Sequence, residues 1–468
     1  MAANKSTGVT TNKIPVVLVM VPFPAQGHIN QLLQLSTTIS SATSNIPIHF
    51  VTTDTLLHQA KSRFAGAPLT NINFHEFTVP VYRDTPSQNS GKFSGLFQPS
   101  AEAAMHLRQP VTELLATLSA TTHRLVLIYD FLSSVTVEDF VSLPNVEGYS
   151  FQGVSAFMVF TFFWEVYGKP NIISDATVEY LPPIDSSFPP EFVEHITKNM
   201  KLLSLMTGFL YDGCRLLEGK YIDLMNSEKM MGPDVKQWAL GPFDLLDVNP
   251  KKEPCERHES LKWLDKQSEN SVIFVCFGTS VSLSDEQVVE LAIGLEKSGK
   301  KFIWVLRVAD KEALPREERA EGAKLPDGYE ERVKEQGIII RDWAPQIEIL
   351  AHSSTGGFLT HCGWNSCMES LTMGVPIAAW PMHCDQPRNS LLITKGLKTG
   401  IMVRDWEFGD ELVTSATVEN AVNRLMASPE GEQIRKRAEE VSFDLRGSVA
   451  KGGITRAELE SFLRHIMR

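Results

Sequence analysis

Short apolar runs alternate along this chain with stretches in which apolar residues recur at helical spacing. Val16–Val21 is a continuous apolar run, and Leu125–Tyr129 and Phe358–Thr360 are shorter runs of the same type. Such runs are typical of strands that are buried on both faces of a parallel sheet. The stretch Ile29–Ile39 shows helical spacing instead, and Ser284–Gln287 has the residues of a capping box that opens a helix. Strands that alternate with helices predict an α/β protein with parallel sheets.

The length of the chain favours two domains, because 468 residues exceed the usual size of one. Residues 248–253 combine proline with charged residues and predict a linker. We therefore expect an N-terminal domain at 1–247, a C-terminal domain at 254–447 and a final helix at 448–468. One face of this helix carries four apolar residues, Leu459, Phe462, Leu463 and Ile466.

Polar residues stand where two of the predicted strands end. His28 follows the first strand on a turn that contains Pro22 and Pro24, and Asp130 directly follows Leu125–Tyr129. Ligands of open α/β sheets bind at the carboxyl ends of the strands, so both residues are candidates for a catalytic site. A neutral imidazole at His28 could take a proton from a hydroxyl, and a carboxylate at Asp130 could orient it. The alternatives are an ordinary loop histidine and an aspartate that caps the next helix.

A second candidate site follows the strand at Phe358–Thr360. A turn at Cys362–Gly363 leads into a helical pattern that starts at Asn365. The free backbone N–H groups of a helix N-terminus bind anions, and the side chains of His361, Asn365 and Ser366 could add donors to a phosphate. The alternative is an ordinary connection between strand and helix, in which Asn365 or Ser366 serves as the cap.

The segment around this turn, Trp343–Gln386, resembles the signature box of the plant family 1 glycosyltransferases, which use UDP-sugars. It has the usual length of that box, and nearly every expected position is filled. Pro22–His28 is similar to the family's N-terminal catalytic motif, and Asp130 stands in an Asp-Phe step like the family's catalytic aspartate. Matching segments at 238–243 and 271–280 extend the resemblance over the whole chain. It implies the GT-B architecture, in which two Rossmann-like domains with parallel sheets face each other across a cleft and the final helix packs back onto the N-terminal domain.

The resemblance also implies roles for individual residues. His28 and Asp130 would be catalytic. Trp343 would stack on uracil, and Glu369 would bind the ribose. The full set of UDP-binding residues comprises Thr279, Ser280, Trp343, Ala344, Gln346, His361, Gly363, Asn365, Ser366 and Glu369. The residues that would face the sugar are Trp364, Asp385 and Gln386.

The same resemblance indicates the two substrates. Gln386 at the end of the box, together with Trp364, resembles the glucose-preferring members, so the expected donor is UDP-glucose, and the family's reaction requires no metal. Gln31, where most members have proline, and the segment Asp385–Asn389 resemble the branch of the zeatin O-glucosyltransferases. We therefore expect a small hydroxylated acceptor, in the first place the side-chain hydroxyl of a zeatin-type cytokinin. Flavonoids and terpenoids are alternative acceptors, because relatives in that branch use them.

Aromatic residues are candidates for the wall of the acceptor pocket. They come from two aromatic-rich stretches and comprise Phe93, Phe157, Phe160 and Trp164. Aromatic side chains bind planar molecules well, but they are also common in protein cores. The core interpretation stays open for each of them.

Charge and composition argue against several classes of binding partner. The net charge of −12 argues against nucleic acid and against an anionic membrane surface. The longest apolar stretch, Val154–Trp164, is too short to span a bilayer, and no targeting segment is evident, so we expect a cytoplasmic monomer. The spacing of the cysteines and histidines fits no usual zinc pattern, and we expect no metal site.

Two other classes of function fit this sequence less well. A catalytically silent protein could keep the box only to bind its ligand, but the intact His28 and Asp130 argue against it. A nucleotide-sugar epimerase or dehydrogenase would need a glycine-rich dinucleotide-binding turn after the first strand, and Pro22–His28 is not such a turn. We therefore predict an inverting O-glucosyltransferase in which His28 deprotonates the acceptor hydroxyl.

Overall fold

The structure is a computed structural model of the chain. It describes residues 13–43, 45–54, 56–57, 71–80, 94–243, 257–278, 283–306, 324–408 and 411–468. The predicted linker at 248–253 lies outside these residues, and so do the expected acceptor residue Phe93 and the expected phosphate ligands Thr279 and Ser280.

The N-terminal part of the chain folds around a seven-stranded sheet. Its strands are β1 (Ile14–Val21), β2 (Ile48–Thr53), β3 (Ile72–Phe77), β4 (Thr122–Asp130), β5 (Val146–Gln152), β6 (Gly208–Tyr211) and β7 (Lys236–Ala239). They lie in the order β3-β2-β1-β4-β5-β6-β7, and all neighbours are parallel. Val17, Val19 and Val21 pack on one face, whereas Leu18 and Met20 pack on the other. Both faces are buried, which explains why this strand is a continuous apolar run.

Helices cover both faces of this sheet. They are α1 (Gln26–Ala42), α2 (Ser94–His106), α3 (Arg108–Thr121), α4 (Ser134–Val137), α5 (Ala156–Val166), α6 (Ala176–Glu179), α7 (Ile184–Ser187), α8 (Pro190–Asn199) and α9 (Arg215–Ser227). Short 3₁₀ turns lie at Phe131–Ser133, Glu138–Ser142 and Met200–Leu205.

The C-terminal part contains a second parallel sheet. Its strands are β8 (Val272–Cys276), β9 (Lys301–Val305), β10 (Gly337–Ile340), β11 (Thr355–Thr360), β12 (Ile377–Ala379) and β13 (Gly400–Met402), in the order β10-β9-β8-β11-β12-β13. The helices are α10 (Glu259–Leu264), α11 (Asp285–Ser298), α12 (Tyr329–Val333), α13 (Gln346–Leu350), α14 (Trp364–Met373), α15 (Gln386–Leu391), α16 (Ser415–Ala427), α17 (Pro429–Val449) and α18 (Ile454–Ile466), with a π-helical turn at Leu392–Gly396 and a 3₁₀ turn at Trp406–Phe408. Within the described ranges, no helix is both long enough and apolar enough to cross a membrane.

The capping box that the sequence predicts at α11 forms only in part. The hydroxyl of Ser284 accepts the backbone N–H of Gln287 at 3.2 Å, as expected of an N-cap. The side chain of Gln287 does not return to Ser284 but pairs with the backbone of Val413, donating to its carbonyl at 2.8 Å and accepting its N–H at 2.9 Å. The backbone of Val413, which offers both a donor and an acceptor, takes the place of the hydrogen bond from Gln287 back to Ser284.

The last helix, α18, packs against the N-terminal sheet. Phe462 is fully buried, and its ring lies edge-on to Trp238 at 5.3 Å and to Tyr149 at 5.6 Å between centroids. Arg124 at the start of β4 donates to the backbone carbonyls of His465 at 3.0 Å and Ile466 at 2.8 Å. A cation at the carbonyl end of a helix stabilises it, so both packing and charge hold the C-terminus on the N-terminal domain.

Replacement of Phe462 by alanine tests this docking. Phe462→Ala should lower the free energy of unfolding by about 3–5 kcal/mol, because it leaves a cavity among buried rings. Phe443→Ala is the control, since that ring is 78% exposed, and its effect should stay within about 0.5 kcal/mol. Urea unfolding followed by tryptophan fluorescence measures both. Equal stability of the two variants would show that α18 is not held by this contact.

Candidate active site

The pairing of β1 with β4 brings His28 and Asp130 together. The strands are parallel with Val21 opposite Tyr129, so the residues that follow them lie at the same edge of the sheet. His28 occupies the first turn of α1, and its Nδ1 lies 2.7 Å from Oδ2 of Asp130. The side chain of Asp130 is 2% exposed and that of His28 is 27% exposed. Since a carboxylate only accepts, Nδ1 carries the proton and Nε2 is the basic nitrogen.

Asp130 also serves as a cap. Its second oxygen, Oδ1, accepts the backbone N–H of Leu132 at 2.9 Å and opens the 3₁₀ turn at Phe131–Ser133. The capping and orienting interpretations of Asp130 are therefore compatible, because each carboxylate oxygen has its own partner. The cap fixes the carboxylate that in turn orients His28.

Opposing effects set the pKa of His28. Burial lowers this pKa, but the charge and hydrogen bond of Asp130, together with the charge of Asp385, outweigh burial and raise it above its ordinary value. The imidazole therefore binds a proton more readily than a free histidine does. This property suits a group that receives a proton during a reaction.

The helix N-terminus that the sequence predicts is present at α14. The residue before the helix, Gly363, provides no side-chain cap. Cys362 turns the chain there in the left-handed conformation, with φ of 65°. The ring of His361 lies between two glycines, since a Cβ at Gly278 or Gly363 would meet it at 2.7 Å or 2.5 Å. Burial, and then the nearby charge of His383, lowers the pKa of His361 to about 3, so it is a neutral N–H donor near pH 7.

This helix N-terminus touches the turn that carries His28. Nδ2 of Asn365 donates to the backbone carbonyl of Gly27 at 3.3 Å. The indole N–H of Trp364 donates to the backbone carbonyl of Asp212 at 2.5 Å, and Trp364 is only 2% exposed. Asn365 thus contacts the residue before His28, whereas the Trp364 ring is packed between the two domains.

A polar cluster follows along α14. Nε2 of Gln346 donates to Oγ of Ser366 at 3.1 Å and to Oε2 of Glu369 at 2.7 Å. Trp343 stands three residues before Gln346 with 47% of its surface exposed and lies edge-on to His258 at 6.3 Å, while Ala344 is half-buried. A large exposed indole near an oriented carboxylate is the arrangement that a nucleoside needs, with a face for the base and acceptors for ribose hydroxyls.

The expected sugar residues Asp385 and Gln386 make different contacts. Oδ2 of Asp385 accepts from Nδ2 of Asn389 at 2.6 Å, and burial raises the pKa of Asp385 to about 6. The side-chain oxygen Oε1 of Gln386 accepts hydrogen bonds from the backbone N–H groups of Met382 at 2.9 Å and His383 at 3.1 Å. Gln386 is 3% exposed, so its side chain holds the turn that presents Asp385.

The aromatic residues beside His28 differ from those that the sequence indicated. Phe157 and Phe160 are fully buried and pack on Tyr221, with centroids at 4.8 Å and 5.5 Å. Trp164 donates its indole N–H to the carbonyl of Pro170 at 2.8 Å. These rings form the core side of α5.

Phe23, which lies beside His28, belongs to a cluster of four phenylalanines and one histidine. It comprises Phe23, Phe97, Phe188, Phe192 and His195. Phe23 lies edge-on to His28 at 5.5 Å and is stacked with Phe97 at 5.8 Å. Phe97 ends the second aromatic-rich stretch that the sequence indicated, at 92–97. The other members were not predicted, although Phe23 lies within the Pro22–His28 motif and could have been found there.

Two family models together match most of the chain. A family model described as glycosyltransferase, N-terminal domain matches residues 14–245, and one described as UDP-glucoronosyl and UDP-glucosyl transferase matches residues 244–435. A zeatin O-xylosyltransferase from Phaseolus vulgaris is 46% identical over 97% of this chain and 98% of its own length. The chain belongs to the plant family 1 UDP-glycosyltransferases. A zeatin O-glucosyltransferase from Phaseolus lunatus is 44% identical over 97% of both proteins.

Solved structures agree with this family. The crystal structure of a UGT transferase from Siraitia grosvenorii in complex with UDP has a TM-score of 0.75 at 28% identity, over 97% of this chain and 100% of that chain. The expected GT-B fold of this UDP-glycosyltransferase is thereby confirmed. Among its described residues, no group of three or more histidines, cysteines, aspartates or glutamates is placed to hold a metal ion.

The variant Asp130→Asn tests what sets the pKa of His28. Without the carboxylate charge, burial is less opposed, so this pKa should fall and the acid limb of the pH profile of kcat/KM should move to lower pH. NMR titration of the labelled histidine ring measures the pKa directly. Asp139→Asn is the control, because Asp139 pairs with Arg108 at 2.9 Å on the surface and should leave His28 unchanged. An unaltered pKa in Asp130→Asn would contradict the pairing.

Proposed function

We propose that this UDP-glycosyltransferase is an inverting O-glucosyltransferase that transfers glucose from UDP-glucose to the side-chain hydroxyl of a zeatin-type cytokinin. The observation that carries the proposal is the contact of Asn365 with the carbonyl of Gly27 at 3.3 Å. This contact joins the start of α14, which we propose binds the diphosphate, to the turn that carries His28. A base for the acceptor and a site for the leaving diphosphate therefore lie side by side.

The reaction that fits this arrangement is a single displacement. Nε2 of His28 takes the proton of the acceptor hydroxyl, and the oxygen attacks the anomeric carbon of glucose from the face opposite to UDP. The bond from that carbon to the β-phosphate oxygen breaks, and UDP leaves with the electron pair. Asp130 stabilises the imidazolium that forms. A positioned base of this kind contributes roughly 10²–10⁴ in rate.

The donor would lie along α14 and the residues around it. The backbone N–H groups of its first turn, with Gly363 before them, face the diphosphate, and His361, Asn365 and Ser366 add donors. The uracil and ribose would contact Trp343, Ala344, Gln346 and Glu369, and the phosphates would also contact Thr279 and Ser280. Donors from a helix terminus can stabilise the leaving group without a metal, and we propose that none is required.

The sugar would be bound by Asp385, which Gln386 supports through its turn, with Trp364 behind them. UDP-xylose is a second candidate donor, because one relative at 46% identity is a zeatin O-xylosyltransferase. Xylose lacks the C6 hydroxymethyl group of glucose, so the space around this carbon decides between the two sugars.

The acceptor would bind on the phenylalanine cluster beside His28. A flat purine fits between aromatic faces, and its flexible side chain would carry the hydroxyl to Nε2 of His28. Both relatives named above act on zeatin, which supports a cytokinin over the flavonoid and terpenoid alternatives. One chain supplies both substrate sites, in keeping with the proposed cytoplasmic monomer.

A UDP-release assay tests the substrates together. UDP-glucose and UDP-xylose are each combined with trans-zeatin, cis-zeatin, a flavonol and a monoterpenol, and the products are analysed by mass. A zeatin O-glucoside as the main product would support the proposal. A xyloside as the main product would show that the donor is UDP-xylose. Transfer only to the flavonol or the monoterpenol would show that the acceptor is not a cytokinin. UDP binding without any transfer would favour a catalytically silent binder.

The variant His28→Ala separates catalysis from donor binding. It should lower kcat by about 10²–10⁴, because the hydroxyl loses its base, while the Kd for UDP stays unchanged. His123→Ala, at an exposed histidine of β4, is the control and should keep full activity. Turnover of His28→Ala within a few-fold of the unaltered enzyme would refute the base assignment.

A further inference from the structure

A buried asparagine joins the two domains directly behind the expected sugar site. Asn389 lies on α15 and is 0% exposed. Its Nδ2 donates to Oδ2 of Asp385 at 2.6 Å and to the backbone carbonyl of Cys362 at 3.0 Å. Its Oδ1 accepts the hydroxyl of Ser155 at 2.8 Å. Both ends of the carboxamide are thus occupied, and Ser155 belongs to the other domain.

The hydrogen bonds fix the orientation of this carboxamide. Carboxylate and carbonyl oxygens only accept, so the two partners on one side of Asn389 require its NH₂ group there. Its oxygen must then face Ser155, which has one proton to donate. The same hydroxyl accepts the backbone N–H of Met158 at 3.0 Å as the N-cap of α5, which leaves its proton for Asn389. The network allows one arrangement in which every partner is satisfied.

Ser155 is itself held firmly in the N-terminal domain. It is 0% exposed, and Oε1 of Glu218 accepts the backbone N–H of Phe157 at 2.9 Å in the first turn of α5. This second anchor keeps the start of the helix in place. The position of the Ser155 hydroxyl is therefore set by α5 and not by the C-terminal domain.

We infer that Ser155 and Asn389 form a positioning pair through which the N-terminal domain orients Asp385 for the hydroxyls of the donor sugar. The inference rests on the proposed function, in which Asp385 binds the sugar. A carboxylate can accept several hydrogen bonds, so Asp385 keeps capacity for sugar hydroxyls while Asn389 holds one of its oxygens. The residue that fits the donor sugar is thereby held from the N-terminal domain, through a hydrogen bond between residues 234 positions apart in the chain.

UDP and UDP-glucose share a nucleotide, but their affinities should respond differently when the pair is broken. UDP lacks the sugar, so its affinity should not depend on the pair. UDP-glucose contacts Asp385, so its affinity should fall when the pair is broken. A merely structural role at the domain interface would weaken both ligands alike.

The first test is Ser155→Ala, with Kd values for UDP and UDP-glucose measured by calorimetry. We expect UDP-glucose to bind about fivefold more weakly, as for the loss of one hydrogen bond, and UDP to bind as before. The change also removes a helix cap, so the control is Ser428→Ala. Ser428 caps α17 by accepting the N–H of Gly431 at 3.0 Å and has no contact with Asn389, so both affinities should be unchanged.

The second test is Asn389→Asp, which keeps the shape of the side chain and an oxygen for Ser155 but removes the NH₂ group. UDP-glucose should bind about tenfold more weakly or worse, because Asp385 loses its donor and gains a like charge. UDP should lose less affinity, since only the Cys362 carbonyl at the turn before α14 loses its donor on that side. KM for UDP-glucose should rise while KM for the acceptor stays constant.

The outcomes distinguish the inference from the proposed function. Equal losses for UDP and UDP-glucose, or no loss for either in both variants, would overturn the positioning role. If the unaltered protein bound UDP but not UDP-glucose, the proposed function would fail first. Thermal melting of each variant confirms that the comparison is made on folded protein.

Discussion

Strand β1 lies parallel to β4 in a register that sets Val21 opposite Tyr129, and the active site depends on this pairing. The two strands end together, so a turn residue after one meets an aspartate at the end of the other. The resulting contact of 2.7 Å between His28 and Asp130 defines which nitrogen of the imidazole is basic. A different register would separate the two side chains, and neither alone would make an oriented base.

In the proposed reaction the second domain contributes charge stabilisation rather than a further base. Its helix α14 begins beside the turn of His28, and the groups around it are tuned to different protonation states. The pKa of His28 is raised, that of buried His361 is lowered to about 3, and that of Asp385 is raised to about 6. In our account His28 receives a proton, His361 only donates a hydrogen bond and Asp385 accepts from the sugar.

Local patterns were enough to predict the parts of the site that depend on one strand or one turn. The apolar runs placed His28 and Asp130 at strand ends, and the turn at Cys362–Gly363 placed the helix N-terminus. The family and the GT-B fold, which the resemblance implied, are confirmed by the comparisons. The positions of His28 and Asp130 could be predicted because strand direction alone brings residues at strand ends to one edge of a sheet.

The remaining features depend on contacts between distant segments. Helix α5 is apolar on most sides, so its sequence did not show that Phe157 and Phe160 pack on Tyr221. The ring beside His28 is Phe23, which stacks with Phe97 from a distant helix. Gln287 likewise left its predicted cap for a partner 126 residues away. Periodicity identifies an apolar face or a cap, but the partner is decided by tertiary packing.

The central claim is that one displacement, driven by His28, transfers the sugar. The configuration of the anomeric carbon in the product tests it most directly. The enzyme is supplied with UDP-α-glucose and its acceptor, and the coupling between H1 and H2 of the purified glucoside is read by proton NMR. A single displacement inverts the anomeric carbon, so we expect the large trans-diaxial coupling of a β-glucoside. The small coupling of an α-glucoside would show that the sugar is not transferred in one displacement.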